Sequence, residues 1–329
     1  MHLSLKLPDF DWVIPSNFKE QLFDHKYMLY YLSEDGYFNK TCKYYPSHPR
    51  VIESLNREVV ISNYLSDVDS KNFGIPKWSL SKNGIPIISH QYIKDGDLLT
   101  YVMNNCERRI QIANDFLKTI KNILPILESR FIHFGDFSLE NFMIEKDQSN
   151  NLKNIVLIDF GQSEIFLENK LYEWKYKAYN NVRPWLLHPD MFTKYQKNEY
   201  LERDVIYKRL IQKDMFVIGN LLYMILSGYE LFTDDMIKHP DKKTSILTDI
   251  RASWTKNLPA NSELSPIINI LLGLLPINIE DMITPNHLYN FIDQIDKVKL
   301  KNDENRTECT SIKKRKIDEV YTNSTLEVA

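Results

Sequence analysis

The stretch from Ile132 to Glu164, IHFGDFSLENFMIEKDQSNNLKNIVLIDFGQSE, constrains what this chain can fold into more than any other. Two short apolar runs, Phe142–Ile144 and Ile155–Ile158, flank a polar segment rich in Asp, Ser and Asn, the pattern of two strands joined by a turn. Each run carries acid or amide chemistry at one end. Asp136 and Asn141 precede the first, and Asp159 closes the second and leads into Phe160-Gly161. A hairpin returns those ends to one edge, so two carboxylates and an amide converge there. Such a set suits magnesium, which takes its remaining oxygen ligands from a nucleotide's phosphates and from water.

Asp136-Phe137-Ser138-Leu139-Glu140-Asn141 followed by Asp159-Phe160-Gly161 resembles the catalytic loop and the D-F-G magnesium motif of eukaryotic-type protein kinases. The stretch from Lys213 to Phe232 resembles the central buried helix of that family's helical lobe, with Asp214 at its opening, Gly219 five residues on and a Gly-aromatic-x-x-Phe turn at its end. An acid at such an opening is expected to cap the helix and tie down the catalytic loop. Small-molecule kinases share the Asp136, Asn141 and Asp159 arrangement but generally lack this helix pattern, so they are the less favoured relatives.

The resemblance implies an α+β, two-lobed fold: a β-rich N-lobe over about residues 1–93 and a helical C-lobe over about 97–299. A polar tail at 300–329 has too little apolar periodicity to order itself. The sequence agrees in outline. Phe10–Ile14, Tyr27–Leu32, Tyr37–Tyr45, Ile75–Leu80 and Ile85–Ile93 read as strands. Val51–Leu65, Ile110–Leu127, Leu264–Leu275 and Pro285–Ile295 read as helices.

The implied activity is transfer of the γ-phosphoryl of ATP, carried with Mg²⁺, to Ser or Thr hydroxyls of a protein substrate. By resemblance, Asp136 accepts the hydroxyl proton, Asn141 and Asp159 hold the metal, a third-strand lysine positions the phosphates, and Glu58 pairs with that lysine. Lys43 is the preferred lysine, because small Thr41 lies two residues before it on the same face; Lys40 ranks second, since Phe38 in that position would block the adenine. His90 would guard the back of the adenine pocket, Gln91 to Ile93 would form the hinge that meets the base, and Asp97 would reach ribose, although Gly96-Asp97 also reads as a loop and helix cap. His133, offset by one residue from the motif, reads as structural.

The chain also departs from the pattern. It has no glycine before Gly36, and the best match to a glycine-rich phosphate loop is Ile14–Lys19 with Phe18 at the tip. Phe134, Gly135 and Ser138 replace a His or Tyr, an Arg and a Lys around Asp136. His188-Pro189-Asp190 resembles the A-P-E motif with its acid changed, and Met282 stands where that acid's arginine partner would be. These departures define a second reading, a pseudokinase that uses the fold as a binding or scaffold module.

Composition narrows the partners. A net charge of -3 and a pI near 6.3 give no basic field for nucleic acid or anionic membrane. Cys42, Cys106 and Cys309 lack zinc or disulfide spacing, as expected of reduced thiols in a cytoplasmic protein. The first residues lack a secretory apolar core, and the apolar run Ile267–Ile277 is too short to span a bilayer. Lys313-Lys314-Arg315-Lys316 would suit nuclear import or simply a solvated tail.

Overall fold

The computed structural model describes residues 11–12, 17–45, 49–68, 70–173, 188–194, 199–232, 239–256 and 264–295. Ile14–Ser16, residues 174–187, Cys309, the Lys313-Lys314-Arg315-Lys316 patch and the 300–329 tail lie outside them.

Five strands form the N-terminal sheet: β1 (Phe18–Asp24), β2 (Met28–Ser33), β3 (Tyr37–Cys42), β4 (Lys77–Leu80) and β5 (Pro86–Gln91). They are antiparallel in the order β1-β2-β3-β5-β4. Helix α1 (Pro49–Tyr64) packs on β5, and Leu55 joins Met28, Cys42, Ile85 and Ile88 in a small buried cluster. The first hairpin is displaced from its expected place. Its strand starts at Phe18, so Phe18-Lys19 are strand residues and the turn falls at His25-Lys26-Tyr27.

The C-terminal part is helical. Helix α2 (Leu98–Asn104) leads into α3 (Arg109–Ser129), whose Ile112, Phe116, Ile120, Ile123 and Leu127 recur at helical spacing and are all buried. Then come β6 (Ile132–His133), the hairpin β7 (Phe142–Lys146) and β8 (Leu152–Leu157), and β9 (Glu164–Ile165), which pairs with β6. Strand β10 (Leu171–Glu173) pairs with β11 (Tyr200–Glu202), with α4 (Pro189–Lys194) between them in sequence. Helices α5 (Arg203–Ser227), α6 (Pro240–Lys256), α7 (Ser265–Leu274) and α8 (285–295) complete the described chain. The larger core joins α3, α5 and α7.

Helix α5 corrects one expectation. It begins at Arg203, so Asp214 lies inside the helix and caps nothing. The physical reason is that Ile206, Leu210 and Ile211 extend the apolar helical period of 213–227 backwards, and all three are buried. The helix is long and apolar enough to cross a bilayer by length and composition, yet 72% of its most apolar window is buried within this chain. Asp190, whose expected arginine partner is replaced by Met282, instead accepts from the Ile279 amide at 3.1 Å, while Met282 joins the core.

Candidate active site

Lys40 is central to the site. On β3 it faces Tyr30 of β2 and Ile88 of β5, well inside the sheet. Its Nζ lies 2.5 Å from Glu58 Oε2 and 2.8 Å from Asp159 Oδ1. Glu58 is fully buried, so it needs a cation beside it. Burial alone would lower the Lys40 pKa, but the Asp159 and Glu58 carboxylates more than offset this and raise it. Burial likewise pushes Asp159 upward, and the Lys40 ammonium, the Gly161 amide and the His90 ring outweigh it and hold the carboxyl below its ordinary value.

The preference for Lys43 is therefore overturned in favour of Lys40. Strand β3 ends at Cys42, and the alternation that would have put Thr41 and Lys43 on one face stops there. Lys43 turns instead to the first hairpin: its amide donates to Tyr27 O at 2.9 Å and its Nζ to His25 O at 3.4 Å. Thr41 hydrogen-bonds Pro86 O at 2.8 Å. Phe38, on the Lys40 face of β3, stacks on Tyr30 at 6.1 Å and meets the His90 ring at 6.2 Å.

The β7–β8 hairpin brings Asn141 and Asp159 to one edge. Ile158 N donates to Asn141 O at 2.9 Å, which sets Asp159 beside the residues that precede β7. Asn141 Nδ2 donates to Asp136 O at 2.8 Å and lies 3.3 Å from Asp136 Oδ2, so the amide fixes the loop that presents Asp136. Asp159 itself has φ +63°, a left-handed conformation that costs a non-glycine residue about 1 kcal/mol or more. Gly135 has φ +85°, so the arginine expected there would be strained. At Gly161, a Cβ would collide with Ser54 Oγ of α1, so α1 seats directly on the turn after Asp159.

The residues fit magnesium in donor chemistry. Asn141 Oδ1 and Asp159 Oδ2 make no hydrogen bond among the described residues, and both are hard oxygen donors. No cluster of three or more His, Cys, Asp or Glu suited to a metal occurs among the described residues, so most ligands would have to come from phosphate and water.

Phe134 belongs to a continuous aromatic column. Phe73 stacks on Phe160 at 6.2 Å, Phe160 meets Phe134 edge-on at 5.5 Å, and Phe134, Phe137, Phe142 and Phe116 follow at 4.6, 6.1 and 5.3 Å. Beside it, His133 Nε2 lies 3.2 Å from Asp214 Oδ1, both buried, so Asp214 meets a side chain of β6 rather than capping α5. Lys213 is buried with no hydrogen-bond partner for its Nζ among the described residues, and burial pushes it down to about 8 against the pull of Asp214 and Asp136. The sequence signal for such a lysine was its place amid an apolar helical run.

Three expected nucleotide contacts are placed less specifically. Gln91 ends β5 with its side chain exposed, and Ile93 follows it half-buried. Asp97 is the N-cap of α2, accepting from Thr100 N at 2.7 Å and from Thr100 Oγ1 at 3.1 Å. At the β1–β2 turn, His25 Nδ1 accepts from the amides of Tyr27 at 3.2 Å and Met28 at 3.0 Å. Two amides that a phosphate-covering loop could offer outward, those of Tyr27 and Met28, are thus engaged within the turn.

No family model matches the chain. It is similar to a probable serine/threonine-protein kinase 2 of Plasmodium falciparum, 26% identical over 162 residues, which is 49% of this chain and 28% of that protein. CBL-interacting protein kinase 31 of Oryza sativa subsp. japonica is 27% identical over 167 residues, 50% of this chain and 32% of that protein. Serine/threonine-protein kinase ppk25 of Schizosaccharomyces pombe is 24% identical over 147 residues, 45% of this chain and 30% of that protein. Each match spans about half of this chain and less than a third of the relative's length. The β-rich N-terminal region and helical C-terminal part are compatible with a kinase-like fold, and the likeness in sequence is kinase-like and partial.

Proposed function

We propose that residues 1–299 form one two-lobed protein kinase-like domain that transfers the γ-phosphoryl of ATP to Ser or Thr hydroxyls of a protein substrate. The observation that carries this reading is the bridge made by Lys40 between Glu58 and Asp159, beside an Asp136 held by Asn141. The Ser/Thr preference is supported by the names of two of the three relatives. Asp136 takes the proton as the substrate hydroxyl oxygen forms its bond to the γ-phosphorus, and the bond from that phosphorus to the β–γ bridging oxygen breaks, leaving ADP. Lys40 steadies the phosphates, and Glu58 steadies Lys40. Asn141 and Asp159 would hold Mg²⁺, which neutralises phosphate charge when bound. Gln91, Ile93 and Asp97 remain the residues nearest in sequence order to the base and ribose.

The test is a thermal shift with Mg·ATP together with phosphate transfer to a Ser/Thr peptide library, on the wild type, Lys40→Ala and Asp159→Ala. Saturation at about 100 times Kd is expected to stabilise the wild type by about 2.7 kcal/mol. Both variants are expected to lose transfer; full transfer by Asp159→Ala would refute the metal assignment.

A second reading, a binding module without turnover, is favoured by Phe38 on the face where the base would lie and by Ser138 in place of a lysine. Mg·ATP binding without transfer to any peptide would select it.

A further inference from the structure

A cavity of about 180 Å³ opens where the segment between α1 and β4, helix α3 and strand β8 meet. Each of the three supplies one exposed lysine to its lining: Lys71, Lys118 and Lys153. Asn72 and Thr119, both buried, line it as well. Asp115 is the one carboxylate among the described lining residues, so the cavity has an excess of two positive charges in a chain whose net charge is -3. Lys71 and Lys153 form no ion pair among the described residues. Two further acids of the β7–β8 hairpin are engaged: Glu145 accepts from Asn154 Nδ2 at 3.1 Å, and Asp147 from the Ser149 and Asn151 amides at 2.8 and 2.9 Å.

A bulge turns β8 toward this cavity. Leu152 pairs with Lys146 and Asn154 with Glu145, so Lys153 is an extra residue without a partner on β7. Strict alternation would put Leu152 and Asn154 on one face and Lys153 and Ile155 on the other, yet all four line the cavity. The amide side chains behind them are fixed. Asn72 Nδ2 donates to Asn154 Oδ1 at 3.0 Å and to Ile155 O at 2.8 Å, and Asn72 Oδ1 accepts from Asn122 Nδ2 at 2.9 Å. The second N–H of Asn122 makes no hydrogen bond among the described residues. We propose that this cavity binds a phosphate monoester, held by the three ammonium groups and the Asn122 amide. Such a group carries about two negative charges near neutral pH, which matches the excess in the lining. A water takes up about 30 Å³ of liquid, so there is room for the phosphoryl group and for the first atoms of its carrier. Leu157 N donates to Asn72 O and Gly74 N to Leu157 O, both at 2.8 Å, so the bound group would clamp together α3, the segment after α1 and the strand that leads to Asp159.

Calorimetry on the full chain in about 50 mM salt tests the site. The probes are a phosphoserine peptide, the same peptide unphosphorylated, free O-phosphoserine and inorganic phosphate. The phosphoserine peptide is expected to bind and its unphosphorylated form is not. Lys71→Glu and Lys153→Glu are each expected to weaken binding about tenfold or more. Lys208→Glu, the same charge change at an exposed position of α5, is expected to leave it unchanged. Binding of the peptide more tightly than of O-phosphoserine supports the proposal with a phosphorylated protein as the source, and equal binding of the two supports it with a small monoester as the source. Inorganic phosphate bound as tightly as either monoester overturns it, because the room beyond the phosphoryl group would then hold nothing. Binding of no probe, equal binding of the unphosphorylated peptide, or an equal loss in Lys208→Glu overturns it too. None of these outcomes depends on Mg·ATP binding or on phosphate transfer, so failure of the phosphoryl-transfer reading is scored separately.

Discussion

Lys40→Met leaves Glu58 buried without its ammonium, and breaking a buried pair this way costs about 3–5 kcal/mol. Lys43→Ala is expected to cost less, and urea unfolding of the two variants side by side checks this; equal losses would refute the placement of Lys40 at the centre. The same pair sets an acid limit. Asp159 is held below its ordinary value, so its contribution is full above the unfolded carboxylate range near ~3.9 and is lost as pH falls through its lower folded value. The loss of stability on acidification should therefore be smaller in Lys40→Met than in wild type, as urea midpoints at about pH 7 and about pH 3 would record. Phe38→Ala clears the ring stacked on Tyr30, and nucleotide affinity by calorimetry is expected to rise by an order of magnitude or so. A fall in affinity would mean that the base stacks on Phe38. At this scale Asp136, Asn141 and Asp159 were legible because their chemistry sits at fixed points around two short strands. The lysine was not, because the choice turned on where β3 ends, and a strand end is set by pairing partners far away in sequence.

Strand β6, which leads into the loop before β7, is tied to helix α5 through His133 and Asp214. Gly135→Ala keeps the loop's size but strains its positive φ, and a loss of about 1 kcal/mol or more is expected in thermal unfolding. Lys213 gives α5 a pH signature of the opposite sense to that of Asp159. Its folded pKa is about 8 against 10.5, so the unfolded chain binds more protons between those values and stability rises with pH across them. The rise is on the order of 3 kcal/mol as an upper bound, and Lys243, also pushed by burial to about 8, adds in the same direction. Lys213→Met should remove only its own share, as urea midpoints at pH 7.5 and 10 would show. That α5 would be a long buried helix was legible from its apolar period. Its start was not, since Glu202 makes no side-chain cap hydrogen bond and no proline or glycine marks the boundary.

Across the whole molecule, burial is uneven. One cluster runs through α3, α5 and α7, while the N-terminal sheet has a small one beneath α1. Native-state hydrogen exchange should find the slowest amides in the large cluster and a lower opening free energy for β1–β3, with ligand protection appearing first in those strands. Uniform protection across both parts would contradict this. The division into a β-rich and a helical part was legible from the change of period along the chain, whereas the union of the parts through Lys40, Glu58, Gly74 and Asp159 depends on contacts that no local pattern encodes. The hairpin whose amides are engaged by His25 has a consequence in time. A phosphate chain beneath it would find the Tyr27 and Met28 amides already taken, so fewer main-chain hydrogen bonds could hold it. Such a clasp would shorten the residence time of any phosphate group it covers.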